Sequence, residues 1–186
     1  KEKEKTAQII LEADLVFTLD FNVLHRTGEM EQVLKKVTAP FIMIDHHQKP
    51  DDYAKYMFSD TKYGSTCEML YHFIVSLGNK DVIDKTIATC IYTGIVTDSG
   101  SFRFPSTTST MHRVVADLID IGIENGAIHN NLFDNSSYNR LQLLGQALQN
   151  MRIKFDKKTS YITLSQKELD QNPYVKGDTE GIVNYG

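Results

Sequence analysis

Asp45, His46 and His47 stand together directly behind the apolar run Phe41-Ile42-Met43-Ile44. One carboxylate and two imidazoles offer three ligands for a divalent ion, and that mixture suits manganese or a similar ion better than magnesium, which prefers oxygen. A second carboxylate, Asp20, closes another apolar run, Leu15-Val16-Phe17-Thr18-Leu19. A third, Asp98, sits where a long apolar stretch gives way to Ser99-Gly100-Ser101. Taken singly, an Asp at a strand end is a turn residue and a His is a surface or core residue. Three apolar elements that each stop on a metal-capable residue are a different matter, because open α/β sheets bind ligands at the carboxyl ends of their strands. Chemistry by a protein nucleophile lacks comparable support, since the chain has no G-x-S-x-G elbow and no papain-type Cys phrase. It also lacks a Walker loop and a GxGxxG, which leaves nucleotide-driven work and hydride transfer unsupported.

The elements that would carry these residues follow from spacing. Lys5 to Ala13 is helical and Asp14 to Leu19 is a buried strand. Glu29 to Val37 predicts a helix ended by Pro40, and Phe41 to Ile44 a second strand, so the unit is a crossover of the kind parallel sheets need. Tyr56 to Ser59 is a further strand candidate. Ser65-Thr66-Cys67-Glu68 has the S-x-x-E form of a capping box opening a helix through Leu77. Helices are predicted over Asp81–Val96, Ser109–Ile121, Glu124–Phe133 and Tyr138–Met151. Arg152 to Asp156 and Ser160 to Leu164 then alternate like a hairpin.

Composition sets the outer limits. A chain of 186 residues suggests one domain, or one and part of a second, at roughly 100 to 200 residues each. A net charge of −4 excludes a basic nucleic-acid coat protein and favours small substrates over long polymers, which need an extended positive groove. No apolar run approaches the ~18 residues of a membrane span, and no signal-type block follows the charged opening, so a cytoplasmic location without membrane contact is expected. Cys67 and Cys90 lie far apart with no CxxC and are expected to be buried, inert thiols. The chain starts on Lys1 and stops at Gly186 within an apolar-rich phrase, and a longer polypeptide is expected around it.

Leu19-Asp20-Phe21-Asn22, then Ile44-Asp45-His46-His47, then Thr93-Gly94-Ile95-Val96-Thr97-Asp98-Ser99-Gly100-Ser101-Phe102 resemble motifs two, three and four of the DHH phosphoesterase superfamily in order and spacing. The chain is most similar to the branch of nano-RNases and phosphoadenosine phosphate (pAp) phosphatases, relatives of the RecJ-type single-strand exonucleases. Lys176-Gly177-Asp178-Thr179-Glu180-Gly181-Ile182-Val183-Asn184 resembles the start of that branch's C-terminal substrate domain. The likeness thus covers nearly all the residues. DHH alone arises by chance, whereas DHH behind a strand with both flanking motifs in order is specific.

The resemblance implies two divalent metal ions, usually Mn2+, with Mg2+ or Co2+ as alternatives. It makes Asp20 the bridge between them, His46 and Asp98 ligands of one, and His47 the group facing the scissile phosphate. Asp45 is read as orienting a ligating His. Arg26 and Arg103 are candidate phosphate contacts, each with a plain structural alternative. Ser65 and Thr66 could bind an anion at a helix N-terminus, but capping alone explains them. His25, His72, His112 and His129 match no motif and are read as packing or surface residues.

Two family phrases are absent: His-x-x-x-Asp-x-Asp, expected upstream of Lys1, and Gly-Gly-Gly-His, expected beyond Gly186. On that reading these residues alone would be inactive. The fold expected is α/β, a mainly parallel sheet flanked by helices and lacking its first strand. Residues 1–135 would form the DHH domain, 136–151 a connecting helix and 152–186 the beginning of a smaller C-terminal domain, with catalysis in the cleft between. The implied activity is metal-dependent hydrolysis of short oligoribonucleotides, pAp, or both. A family II inorganic pyrophosphatase, a cyclic-dinucleotide phosphodiesterase and a catalytically silent DHH binding domain are the alternatives. A homodimer is compatible with the resemblance but is not read from the residues.

Overall fold

Helix α1 spans Glu2–Leu11 and strand β1 Val16–Leu19, where helical apolar spacing changes to a continuous run. This computed structural model describes residues 2–172, 174, 175 and 177–186; Lys1, and the Lys176 that begins the C-terminal phrase, lie outside the described residues. The helix expected over Glu29–Val37 is mostly something else. Leu24–Met30 winds as 3-10 turns kinked at Gly28, whose φ is 61°, and only Glu31–Leu34 forms α-helix α2. Gly28, with its positive φ, breaks the helix before Glu29, and beyond Leu34 the bonds from Lys36 N–H to Val33 and from Val37 N–H to Leu34 tighten to the 3-10 pattern.

Strand β2 is Phe41–Asp45 and β3 is Tyr56–Ser59. The three strands form one parallel sheet in the order β1-β2-β3. Central β2 buries Phe41, Met43, Ile44 and Asp45, as a strand with neighbours on both edges should. Leu19 pairs with Ile44, and Asp45 with Ser59, so the carboxyl ends of the strands finish level. That register delivers Asp20 and Asp45 to the same edge.

Helices α3 (Thr66–Ser76), α4 (Lys85–Asp98) and α5 (Ser109–Asp120) enclose the larger core. Ala88, Ile91, Tyr92, Ile95 and Val96 form one stripe of α4, and Met111, Val114, Val115 and Leu118 one stripe of α5, both at i, i+3, i+4, i+7 spacing. Cap residues set where these helices start: Asp84 accepts from the Ile87 N–H at 2.8 Å and Thr108 from that of Met111 at 3.1 Å. The start expected at Asp81 therefore moves to Lys85, with Lys80–Val82 forming a 3-10 turn before it. Cys90 is exposed rather than buried, since the stripe faces the core from the other side of α4. At α3 the capping box does not close. Ser65 accepts from the Cys67 N–H at 3.1 Å, while the Glu68 side chain turns into the interior instead of back to Ser65.

Helix α6 (Asn125–His129) runs into a π-type turn, Asn130–Asp134, and α7 (Tyr138–Asn150), β4 (Arg152–Lys154), β5 (Thr159–Tyr161) and α8 (Gln166–Gln171) follow. The chain divides into two units, Lys1–Ile128 and His129–Gly186. In the second, Leu143 and Ala147 of α7 are buried with Ile182, ringed by Leu144, Ile162, Leu164 and Leu169. The expected hairpin is antiparallel β4-β5.

A complete capping box opens α8, where Glu168 accepts from the Ser165 N–H at 2.7 Å and Ser165 caps the Glu168 N–H. Bonds from Ser165 and from the Asn150 amide hold the Glu168 carboxyl down at about 2. A carboxyl whose pKa is lower folded than unfolded contributes stability above its unfolded pKa of roughly 4.3 and loses it as pH falls toward the folded value. Unfolding of the second unit, followed by circular dichroism between about pH 4.5 and 2, should therefore depend less on pH in Glu168→Gln than in wild type. Identical pH profiles would refute the assignment.

Candidate metal centre

Asp20 turns the chain at the sheet edge with φ 68°, a left-handed conformation that Asp tolerates but that clusters at functional sites. Its N–H still bonds the Ile44 carbonyl at 3.1 Å, and its Oδ1 accepts from the Thr66 hydroxyl at 2.7 Å. Two residues on, buried Asn22 donates to the Gln48 carbonyl at 2.7 Å and accepts from the Asp51 N–H at 2.9 Å. The loop after β1 is thereby tied to the loop after β2.

Asp45 is fully buried, and both its oxygens serve His47. Oδ1 accepts the His47 backbone N–H at 2.7 Å and Oδ2 lies 2.9 Å from Nδ1. That pairing fixes the ring and puts its proton on Nδ1. His46 is held differently, with Nδ1 3.3 Å from the Tyr63 carbonyl oxygen. A carbonyl only accepts, so Nδ1 carries the proton and Nε2, 3.6 Å from Asp20 Oδ1, keeps its lone pair. The two rings meet at 67° with centroids 4.7 Å apart.

Donor atoms of Asp20, His46 and His47 all lie within 4.8 Å of one another. Asp98, the last residue of α4, is outside that trio but within its field. Burial raises the Asp98 pKa, a hydrogen bond with Ser65 opposes the rise, the Asp20 charge adds to it, and His46 and His47 pull it back. A carboxylate beside imidazole nitrogens with free lone pairs is a donor set that fits a borderline divalent ion. Cys67 offers no competing thiolate, for burial, then Asp98 and Asp20, push its thiol up to about 11.

The other sequence candidates are placed less centrally. Arg26 and His25 are exposed on the 3-10 turn. Arg103 folds back so that its Nε donates to the Gly100 carbonyl at 2.7 Å. Neither guanidinium belongs to the trio. His112 and His129 stack beside Phe102 and Phe133, and His72 sits between Tyr63 and Tyr71 with its pKa lowered by burial. Sequence reasoning missed three holders of the site: Thr66 on Asp20, the Tyr63 carbonyl on His46, and Asn22 between the loops. The Asn inside Leu19-Asp20-Phe21-Asn22 was the one available signal; a backbone carbonyl leaves none.

Residues 1–95 match the model of the DHH family, N-terminal domain. Among curated proteins, the chain is 31% identical over 144 residues to the probable bifunctional oligoribonuclease and PAP phosphatase NrnA of Streptococcus mutans, covering 77% of this chain and 45% of that one. It is 30% identical over 116 residues to the bifunctional oligoribonuclease and PAP phosphatase NrnA of Bacillus subtilis, covering 62% and 37%. The chain thus spans less than half the length of these relatives. A crystal structure of an exopolyphosphatase-related protein from Bacteroides fragilis superimposes with a TM-score of 0.95 at 35% identity, over 98% of this chain and 54% of that one.

Proposed function

Because this chain belongs to the DHH family, we propose that it acts as a metal-dependent phosphoesterase on short oligoribonucleotides, pAp, or both. The observation that carries this is the convergence of Asp20, His46 and His47 donors within 4.8 Å at the end of a parallel sheet. The names of the Streptococcus mutans and Bacillus subtilis relatives support the substrate class. Asp20 would bridge two ions, Mn2+ by preference, with His46 and Asp98 on one of them. Bound ions of this kind supply Lewis-acid stabilisation and a water of lowered pKa for in-line displacement at phosphorus.

The protein's own groups do the rest. Asp45 keeps the His47 proton on Nδ1 and stabilises the ring when Nε2 is also protonated, so His47 can donate to a phosphate oxygen. Thr66 fixes the Asp20 carboxylate. Arg26 and Arg103, both exposed, are proposed as phosphate contacts. Residues 1–135 would carry the metal centre, 136–151 the connection and 152–186 the beginning of substrate recognition. No helix among the described residues is long and apolar enough to cross a membrane, and we place the protein in the cytoplasm.

Incubating the full-length protein with Mn2+ and, separately, a linear diribonucleotide, pAp, a cyclic dinucleotide and pyrophosphate tests the proposal. The first two should be hydrolysed and EDTA should stop it. Cleavage of the cyclic compound alone would favour a cyclic-dinucleotide phosphodiesterase, cleavage of pyrophosphate alone a pyrophosphatase, and no cleavage a silent binding domain. Thr66→Val keeps the side-chain shape but removes the donor to Asp20. Mn2+ affinity should fall by roughly 10- to 100-fold, as for other partners that orient a metal ligand, with the fold retained. An unchanged Mn2+ titration would remove Thr66 from the site.

A further inference from the structure

We propose that Phe104 is the platform on which a base of the substrate stacks, so that the site selects nucleotides over base-free phosphates. The inference rests on the substrate class proposed above and adds a specificity residue to it. Phe104 lies in the loop 99–106, which borders the metal centre at both ends. At one end Ser99 follows Asp98 directly and is fully buried. At the other, Ser106 is packed on Gly64, where a Cβ would lie 3.1 Å from the Ser106 carbonyl oxygen and 3.3 Å from its Oγ. Gly64 in turn follows Tyr63, whose carbonyl holds His46, and precedes by two residues Thr66, which holds Asp20. The loop therefore runs from one candidate ligand to the residues that position two others.

Within the loop, Gly100, Ser101 and Phe102 pass consecutively through the left-handed region, at φ 57°, 58° and 64°. Ser101 and Phe102 carry side chains that disfavour it, and such strain persists where surrounding groups over-determine the backbone, above all at functional sites. Ser99 supplies most of that constraint. Its carbonyl accepts from the Arg103 and Phe104 N–H groups at 3.0 and 3.1 Å, and its hydroxyl from the Phe102 N–H at 3.0 Å. The Ser101 N–H bonds the Val96 carbonyl at 2.8 Å. This reversal separates the two rings. Phe102 packs with Tyr92 and His112, at centroid distances of 6.4 and 5.3 Å, whereas Phe104 stays 50% exposed.

The exposed ring is nevertheless fixed. It rests on Gly100, where a Cβ would lie 2.6 Å from both Cε1 and Cζ. An aromatic ring held in place with half its surface open can receive a base, and because every base has a π-face, stacking reads the presence of a base rather than its identity. Arg103, its neighbour in the chain, has Nε bound to the Gly100 carbonyl at 2.7 Å. The two residues thus set a cation for phosphate beside a surface for a base, the two parts of one nucleotide. A base-free substrate such as pyrophosphate would leave the ring unused. Contact made away from the reacting phosphorus is equal in ground and transition states, so its loss raises KM and spares kcat.

Steady-state kinetics of the full-length protein with Mn2+ test this, on a linear diribonucleotide and on the same compound made abasic at one ribose and then at the other. Phe104→Ala should raise KM for the diribonucleotide roughly 5- to 150-fold, the equivalent of ~1–3 kcal/mol for one base–aromatic stack, with kcat kept. Against the compound lacking the stacked base, Phe104→Ala and wild type should have the same KM. Phe104→Tyr should behave as wild type and Phe104→Leu should not. A merely structural ring would instead lower kcat on all three compounds and be rescued by Leu. Wild-type KM for the diribonucleotide in folded Phe104→Ala overturns the platform alone, whereas failure of the wild-type protein to hydrolyse it overturns the substrate reading beneath. Should Phe104→Ala not fold, or wild type not turn over, binding still decides. These residues contain no Trp, so Phe104→Trp adds an emission that 5′-AMP should quench and ribose 5-phosphate should not. An emission indifferent to both overturns the platform.

Discussion

Asp20→Ala is expected to abolish Mn2+-dependent hydrolysis by the full-length protein. The loss should exceed the roughly 10- to 100-fold that removing an outer partner of a metal ligand costs, because Asp20 is itself the proposed bridge. It is the member of the site that His46 Nε2, His47 Nδ1 and the Thr66 hydroxyl all approach, at 3.6, 4.0 and 2.7 Å. Alanine also has to adopt φ 68° there, at a cost of about 1–2 kcal/mol that Asp and Asn largely escape. Asp20→Asn is therefore the sharper variant, since its amide oxygen can keep the Thr66 bond and its backbone tolerates the turn. Turnover and Mn2+ binding should both be lost while the far-ultraviolet circular dichroism stays native. Undiminished turnover in folded Asp20→Asn would end the bridging role.

Gly94→Ala should destabilise the first unit, although helix propensity alone predicts a gain of about 1 kcal/mol for that exchange inside a helix. A Cβ on Gly94 would overlap the Cys67 sulfur and lie 2.9 Å from the Cys67 Cβ. Helices α3 and α4 would have to part, and overpacking of this sort costs about 1–3 kcal/mol. For a chain of this size the melting midpoint should fall by roughly 2 to 12 °C. Activity should fall as well, because the start of α3 supplies Ser65 and Thr66 to the carboxylates of Asp98 and Asp20. Cys67→Ala in the Gly94→Ala background removes the sulfur and should restore part of the midpoint, the Cβ at 2.9 Å remaining. A single Gly94→Ala protein as stable as wild type would show that the helices do not cross as closely as described.

These two positions mark different degrees of legibility. Asp20, Asp45, His46, His47 and Asp98 could be picked out because each terminates an apolar run, and such runs report strands and helices directly. The parallel three-stranded sheet followed from the same runs and the crossover length between them. The helix expected over Glu29–Val37 is α-helical only over Glu31–Leu34, since the apolar spacing there is compatible with 3-10 turns as well, and these flank it on both sides. Ser65-Thr66-Cys67-Glu68 was misread for another reason. The four residues have the form of a capping box, yet Thr66 is drawn to Asp20, 46 positions away, and Glu68 to the interior. Nothing within four residues encodes the pull of Asp20 on Thr66.

From the chain alone came which residues end the strands and the long α4 helix and which chemistry their side chains permit, because both depend on local pattern and functional-group type. The pairing of Leu19 with Ile44, which brings two distant loops level, came only with the fold. So did the partner of His46, the backbone carbonyl of Tyr63, 17 positions on, whereas His47 takes the carboxylate of Asp45, only two positions back. Ring orientation and tautomer are set by groups within about 3 Å, and only folding brings Tyr63 that close to His46.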